Sequence, residues 1–446
     1  MVEAVAALFE PQASRRRIQY VVEDHPRSVT SDPGEARRRG SSPYAESGSA
    51  VDRSAATSGS SRAAGLDGIR GLAALYVVVH HCWLVTFHGY PANTGPAWLG
   101  WLVYGHLAVV VFIVLSGFSL AIAPARRGWQ LGGTLRFAQR RAWRILPPYW
   151  AALIFSLIIA WTVTPQLHSG PPTGRSVLVY GLLLQDVTTA PIPNGAFWSI
   201  AVEAELYLIF PLLVLMRRRL STATVLAAVT VPVVAMGLLS PGMATADKLT
   251  GVTPQFAPLF AVGVLAAGIV AARDRIRRMP WPWLAALAAA PVLVLIILNG
   301  SVWTVRHYFW IDLAVSPGIA LLLAGVATNQ PGALVRLLTT RPVRRLGSYS
   351  YSLYLLHVPI VLGISRTIAA HYAAPGLPAF WVTLGLGVPI SLLTARWFAA
   401  IFEIPFQRYR SWAALRGAAQ ARRGVGQRPT AGPAASQRRP VEVTPG

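Results

Sequence analysis

Only one cysteine, Cys82, and one lysine, Lys248, occur in 446 residues. A single thiol excludes an intrachain disulfide and any metal site built on several cysteines. Charge is scarce as well. Asp, Glu, Lys and Arg make up 13% of the chain, about half the roughly 25% of an ordinary soluble domain. The nine histidines show no HisXXXHis spacing and no carboxylate at ligand spacing, so no metal site is expected. Neither a GXSXG nucleophile elbow nor a Walker loop is present.

What is abundant is apolar sequence, 54% of the chain. It falls into long stretches near 66–87, 98–123, 145–164, 196–216, 221–240, 254–272, 281–299, 309–328, 348–369 and 378–403. Runs of about 18 apolar residues or more read as membrane spans. A further stretch, 175–187, is too short to cross a hydrocarbon core of roughly 30 Å. The expected fold is an all-α polytopic membrane protein of about ten transmembrane helices, with 175–187 as a re-entrant or interfacial piece.

Residues 1–62 are polar and carry ArgArgArg at 15–17 and 37–39. They lack the apolar h-region of a secretory signal and read as a disordered tail. Residues 413–446, rich in Pro, Gln, Arg and Ala, read as a second, basic tail. The membrane domain is therefore expected over 63–412.

The net charge of +23 is not read as a nucleic-acid signal, because the arginines gather at span ends and in the tails, as in cytoplasmic loops. The 124–144 loop holds Arg126, Arg127, Arg136, Arg140, Arg141 and Arg144. Placing it inside also puts 217–219, 273–278, 336–345 and 408–416 inside, provided 175–187 does not cross. Ten spans with both termini cytoplasmic satisfy every loop.

Polar groups within spans mark function because they are costly there. Asp67 and Arg70 stand one helical turn apart and can pair. Arg70 and His81, eleven residues apart, fall on one helical stripe about 16 Å apart along the axis. His80 points elsewhere. Ser116-Gly117 is a small pair suited to close helix packing. Arg141 and Arg144, one turn apart, offer two guanidinium forks to a phosphate. Ser199 and Glu203 share a face, and Glu205 follows two residues on. Two carboxylates inside a span must pair, protonate or face a wet cavity. Tyr354 and His357 are one turn apart. Glu403, near the end of the last span, suits a cap or an arginine partner.

These motifs together resemble the acyltransferase 3 family of integral membrane acyltransferases, from about residue 65 to 407. The resemblance rests on LeuAspGlyIleArgGly with histidine eleven residues after Arg70, on PheIleValLeuSerGlyPhe and on ArgAlaTrpArgIleLeuPro. TrpSerIleAlaValGlu, SerTyrSerLeuTyrLeuLeuHis and GluIleProPhe follow in order. Here Ala204 separates Glu203 from Glu205, where the family often runs acidic or Gln residues together.

The resemblance implies a ten-helix bundle using acyl-CoA, commonly acetyl-CoA, as co-substrate, with no permanently bound cofactor. It implies acceptor hydroxyls on envelope sugars, lipids, peptidoglycan or secondary metabolites such as macrolides. It makes His81 the catalytic histidine and Arg70, Arg141 and Arg144 functional arginines. On this reading His81 takes the hydroxyl proton, Glu203 orients it, and the arginines hold CoA phosphates. Asp67, Ser199, Glu205, Tyr354 and His357 are supporting candidates, His357 being a second possible base. A covalent acyl group on His81 or Ser199 stays open. The competing class is a proton-coupled transporter or acyl permease, which would also use buried carboxylates and histidines but has no need of a phosphate clamp. Trp303, Tyr308 and Trp310 suit either a stacked sugar or an interfacial aromatic belt.

Overall fold

The computed structural model describes residues 45–166, 169–239 and 253–409, with 411, 414–417 and 420; side chains are described from Gly65. Among the described residues the fold is helical without strands. An apolar environment leaves a backbone amide no water to bond, so each crossing segment must satisfy itself as a helix.

In chain order, α1 is Ala45–Thr86. A 3-10 turn at Ala97–Tyr104 leads into α2, His106–Arg126. Then come α3, Thr134–Thr162, the short α4, Gly174–Gly181, α5, Trp198–Arg219, and α6, Thr222–Leu239. They are followed by α7, Phe256–Ala266, α8, Trp281–Arg306, and α9, Tyr308–Ala327. Finally α10 is Ser350–Ile364 and α11 is Leu377–Phe398, each extended by a π-helical turn.

Nine helices among the described residues are long and apolar enough to cross a membrane. The tenth expected span, 254–272, forms a shorter apolar helix over Phe256–Ala271. It lies deep in the core, with Phe256, Leu259, Phe260 and Ala261 almost wholly buried. The chain is an all-α polytopic membrane protein.

Two boundaries differ from expectation. Helix α1 begins at Ala45, ahead of the boundary at residue 63, although only Gly65–Thr86 has the length and hydropathy of a span. Once a helix is nucleated, adding a residue to its end is far easier than starting a new one. The earlier part of the proposed N-terminal tail lies outside the described residues, as does most of the C-terminal one. In α8 the apolar run ends at Gly300, whose φ of +73° breaks the helix before a last turn to Arg306. Glycine takes that conformation without the steric cost of a Cβ.

The bundle closes around α1, which packs on α2, α9, α10 and α11. Helices α2 and α7 cross closely. A Cβ on Gly117 would strike the Phe260 carbonyl oxygen, and one on Gly263 would strike that of Val114. Two glycines thus let the backbones touch, the small-residue packing common between membrane helices.

The 175–187 segment does not cross. Helix α4 has eight residues, about 12 Å of rise, and the chain turns back at Leu183, φ +58°. It is fastened to α3, where the Tyr149 hydroxyl donates to Tyr180 O at 2.8 Å and Trp150 Nε1 to Gly181 O at 2.9 Å. The returning segment is fixed by buried Asn194, whose Nδ2 donates to Ser156 Oγ at 3.0 Å and Leu355 O at 2.8 Å. This places Ser199 at the start of α5 against α10.

Candidate active site

A cavity of about 350 Å³ opens where α1 at Arg70, the end of α2 and the start of α3 converge. One end is lined by Arg70, Arg127, Arg140, Arg141 and Arg144 with Gln130. Among its other lining residues the only carboxylate is Glu203. Of the predicted donor-binding residues, all three arginines are brought together here.

Arg70 Nη1 pairs with Asp67 Oδ1 at 2.6 Å, one turn away as expected. Asp67 is nearly half exposed, so the pair orients Arg70 more than it neutralises the cavity. The Arg141 side chain lies over the Phe137 ring at 5.8 Å, and its Nε is buried without a partner among the described residues. A guanidinium with an unused donor on a cavity wall fits an anionic ligand.

Farther in, Glu203 sits on α5. Ser116 Oγ donates to Glu203 Oε1 at 2.8 Å, and the Tyr207 hydroxyl donates to the same oxygen. Arg141 is within electrostatic reach of both Glu203 and Tyr207. Ser116 therefore does not share the packing role of Gly117; the two residues point to different neighbours. The deep end is lined by Val109, Phe112, Ile113, Ser199, Ile200 and Tyr354. Ser199 Oγ and the Tyr354 hydroxyl are 2.7 Å apart.

His81 does not line this cavity. It stands behind Tyr354, beside His357, which lies one turn from Tyr354 on α10. His357 Nε2 is 3.2 Å from His81 Nδ1. The remaining contacts assign the tautomers. His357 Nδ1 meets the carbonyls of Tyr354 at 2.8 Å and Leu353 at 3.2 Å. Carbonyls only accept, so this nitrogen carries the proton and neutral His357 keeps a lone pair on Nε2. His81 Nδ1 also meets an acceptor, Val77 O at 2.9 Å. It is therefore the protonated nitrogen of a neutral His81. This leaves His81 Nε2 with a free lone pair and no protein partner among the described residues, the state of a general base.

The expected contact between Glu203 and His81 is not formed among the described residues. The carboxylate is held by Ser116 and Tyr207, and the side chain bonded to His81 is that of His357. His357 Nε2 is thus occupied by His81. Helix rotation decides this. Glu203 faces α2 across the cavity, whereas His81 on α1 faces α10.

Glu205 is exposed and stands apart from the cavity, within electrostatic reach of Asp186 in the turn after α4. Burial, reinforced by Glu205, pushes the Asp186 carboxyl up to about 6. Glu403 caps the start of α10, accepting from Ser352 Oγ at 2.5 Å and Ser352 N at 3.1 Å. It lies within electrostatic reach of Arg144 and Arg70, and its bonded partners are Ser352 and Gln407, so it acts as the expected cap. His80 is structural: its Nδ1 meets Leu102 O at 2.6 Å and its ring lies flat on Gly105.

One pair escaped the sequence reading. His106 Nε2 meets Asp312 Oδ2 at 2.9 Å and Oδ1 at 3.1 Å, with Asp312 fully buried. The His106 ring stacks on Tyr308 at 4.1 Å. Trp303 stacks on His307 at 4.2 Å, and Trp310 packs edge-on against Phe309. A carboxylate inside the 309–328 apolar stretch was the available signal for Asp312. No group of three or more metal-ligating side chains occurs among the described residues.

The chain is similar to several known proteins. Relatives include YrhL of Bacillus subtilis, whose name proposes a peptidoglycan O-acetyltransferase, 28% identical over 344 residues, 71% of this chain and 50% of that protein. The O-acetyltransferase OatA of Staphylococcus aureus is 24% identical over 351 residues, covering 71% of this chain and 53% of its own. The acyltransferase MdmB of Streptomyces mycarofaciens is 25% identical over 315 residues, covering 66% of this chain and 78% of its own. The chain thus spans about half the length of the first two relatives. No solved structure matches it. Residues 63–396 match the acyltransferase 3 family, described as an acyltransferase domain, and the chain belongs to that family.

Proposed function

We propose that this chain is a membrane O-acyltransferase that moves a short acyl group, acetyl in the first instance, from acyl-CoA to an acceptor hydroxyl. The observation that carries the reading is the cavity itself. Five arginines crowd one end, and the other end abuts a histidine pair with one free basic nitrogen. The arginines supply charge-assisted donors for the phosphates of CoA. A pantetheine arm running inward from them reaches Ser116, Glu203 and Ser199.

His81 Nε2 takes the hydroxyl proton as the oxygen attacks the thioester carbonyl carbon. The C–O bond forms, the C–S bond breaks, and the proton passes from His81 to the departing thiolate, releasing CoA. His357 Nε2 accepts from His81 Nδ1–H throughout and supports the imidazolium that forms in between, the role of the third member of a catalytic triad.

The arginine-bearing end faces the cytoplasm by the charge rule, with both termini inside and the protein in the cell membrane. The names of the relatives favour an envelope glycan hydroxyl as acceptor; a lipid or a secondary metabolite such as a macrolide fits the same chemistry. The test is release of CoA from labelled acetyl-CoA by purified protein in nanodiscs, with lysate as the acceptor source. Label should move to the acceptor with wild type and fail to move with folded His81→Ala. Failure of wild type to bind or consume any acyl-CoA would overturn the reading.

A further inference from the structure

The cavity stops one side chain short of His81. At its deep end the rings of Phe112 on α2 and Tyr354 on α10 meet edge to face, with centroids 5.6 Å apart. Both line the cavity, and Tyr354 is also 5.6 Å from the His357 ring, which in turn is 4.7 Å from His81. Phe112 packs against the two core clusters that contain Val77 and Val78 of α1, the turn that carries His81.

The two rings are held differently. Ser199 Oγ donates to Ala196 O at 3.4 Å, so the Tyr354 hydroxyl is the donor in its 2.7 Å bond to Ser199. The backbone of Tyr354 is pinned separately, because its carbonyl accepts from His357 Nδ1. Tyr354 can therefore swing its side chain by breaking one hydroxyl bond while the His357–His81 geometry stays in place. Phe112 has no polar tether, and its bulk sets the gap that remains when Tyr354 moves.

We propose that Phe112 and Tyr354 form a partition between the donor cavity and His81, and that Phe112 sets the size of the acyl group that reaches the base. The inference rests on the acyl-CoA reading above. The wild-type partition passes an acetyl-sized group and holds back branched four- and five-carbon acyl groups. The apolar lining by Val109, Ile113 and Ile200 suits a hydrocarbon acyl chain.

The experiment compares acetyl-, butyryl- and isovaleryl-CoA as donors for the full chain in nanodiscs, read as CoA release, in wild type, Phe112→Ala and Phe112→Leu. The isovaleryl-to-acetyl ratio of kcat/KM should rise about tenfold or more in Phe112→Ala and less in Phe112→Leu, the scale of one or two methylenes in an apolar site. A second readout needs no turnover and covers variants with poor activity. In a Cys82→Ala, His357→Cys background the single thiol lies behind the partition. Its labelling by a small charged thiosulfonate should accelerate at least tenfold when Phe112→Ala is added.

An unchanged donor ratio in active, folded variants would overturn the size role, and an unchanged labelling rate would overturn the partition. Failure of wild type to release CoA from any thioester, with labelling gated as expected, would instead sink the acyl-CoA reading and the size role with it.

Discussion

His357 Nε2 stands 3.2 Å from His81 Nδ1, and its own Nδ1 is committed to the Tyr354 carbonyl at 2.8 Å. The two imidazoles thus form a fixed line in which only His81 Nε2 remains basic and unpartnered. Substituting His81→Ala should lower the rate of acyl transfer by about 10²–10⁴-fold, the usual contribution of a positioned base. His357→Gln should cost less. A hydrogen bond to a charged group is worth about 1.5–3 kcal/mol, so a roughly tenfold to hundredfold fall in kcat is expected. The KM for acyl-CoA should stay unchanged in that variant. Steady-state kinetics separates the two, and a His357→Gln effect confined to KM would refute the positioning role.

Arg141→Ala and Arg144→Ala should weaken acyl-CoA and leave acceptor affinity alone. Each loses a charge-assisted contact, so KM for the donor should rise about tenfold or more. Dephospho-CoA thioesters, which carry less charge, should show a smaller difference between wild type and variant. Equal sensitivity of donor and acceptor would remove the arginines from the donor site.

The His106–Asp312 pair ties α2 to α9 within the apolar bundle. Breaking it from one side strands a buried charge, so His106→Ala should destabilise the protein by about 3–5 kcal/mol. The double replacement of His106→Phe with Asp312→Leu should recover most of that loss, because a buried pair often adds little over packed apolar groups. Thermal unfolding in detergent measures both. Additive losses in the double variant would show that the pair does not act as one unit.

Asp186 gives a pH dependence with a definite sign. Its carboxyl is raised from 3.8 to about 6, by burial first and by Glu205 second. A raised carboxyl binds its proton more tightly in the folded state. The associated stability is complete below about pH 3.8 and is lost as pH rises towards about 6. Asp186→Asn should flatten that part of the stability profile, measured by unfolding between pH 4 and pH 7 (about the span of the two values). A wild-type profile whose stability rises across the same window through this residue would contradict the assignment.

The α2–α7 crossing leaves no room for a side chain at Gly263. Gly263→Leu should force the helices apart, with destabilisation of about 1–3 kcal/mol or more from overpacking. Reduced detergent stability with a lower yield of folded protein is the expected outcome. A fully stable Gly263→Leu variant would mean that the helices do not touch there.

Much of this protein was legible in the chain because it is local. Ten apolar stretches dictate helices, since hydrocarbon gives an unpaired backbone amide no alternative. All ten appear as helices, although Phe256–Ala271 is shorter than a standard span. Spacing within one helix was equally readable. Asp67 and Arg70 pair one turn apart, and Ser199 and Glu203 line one cavity.

Only the tertiary structure decided the pairings between helices. Periodicity fixes which residues share a face of a helix, but not which neighbour that face meets. That depends on how each helix is rotated in the bundle, which is set by close approaches such as Gly117 and Gly263 between α2 and α7. Those rotations gave His81 to His357 instead of Glu203, turned Ser116 towards Glu203, and joined His106 to Asp312 across 206 residues of chain.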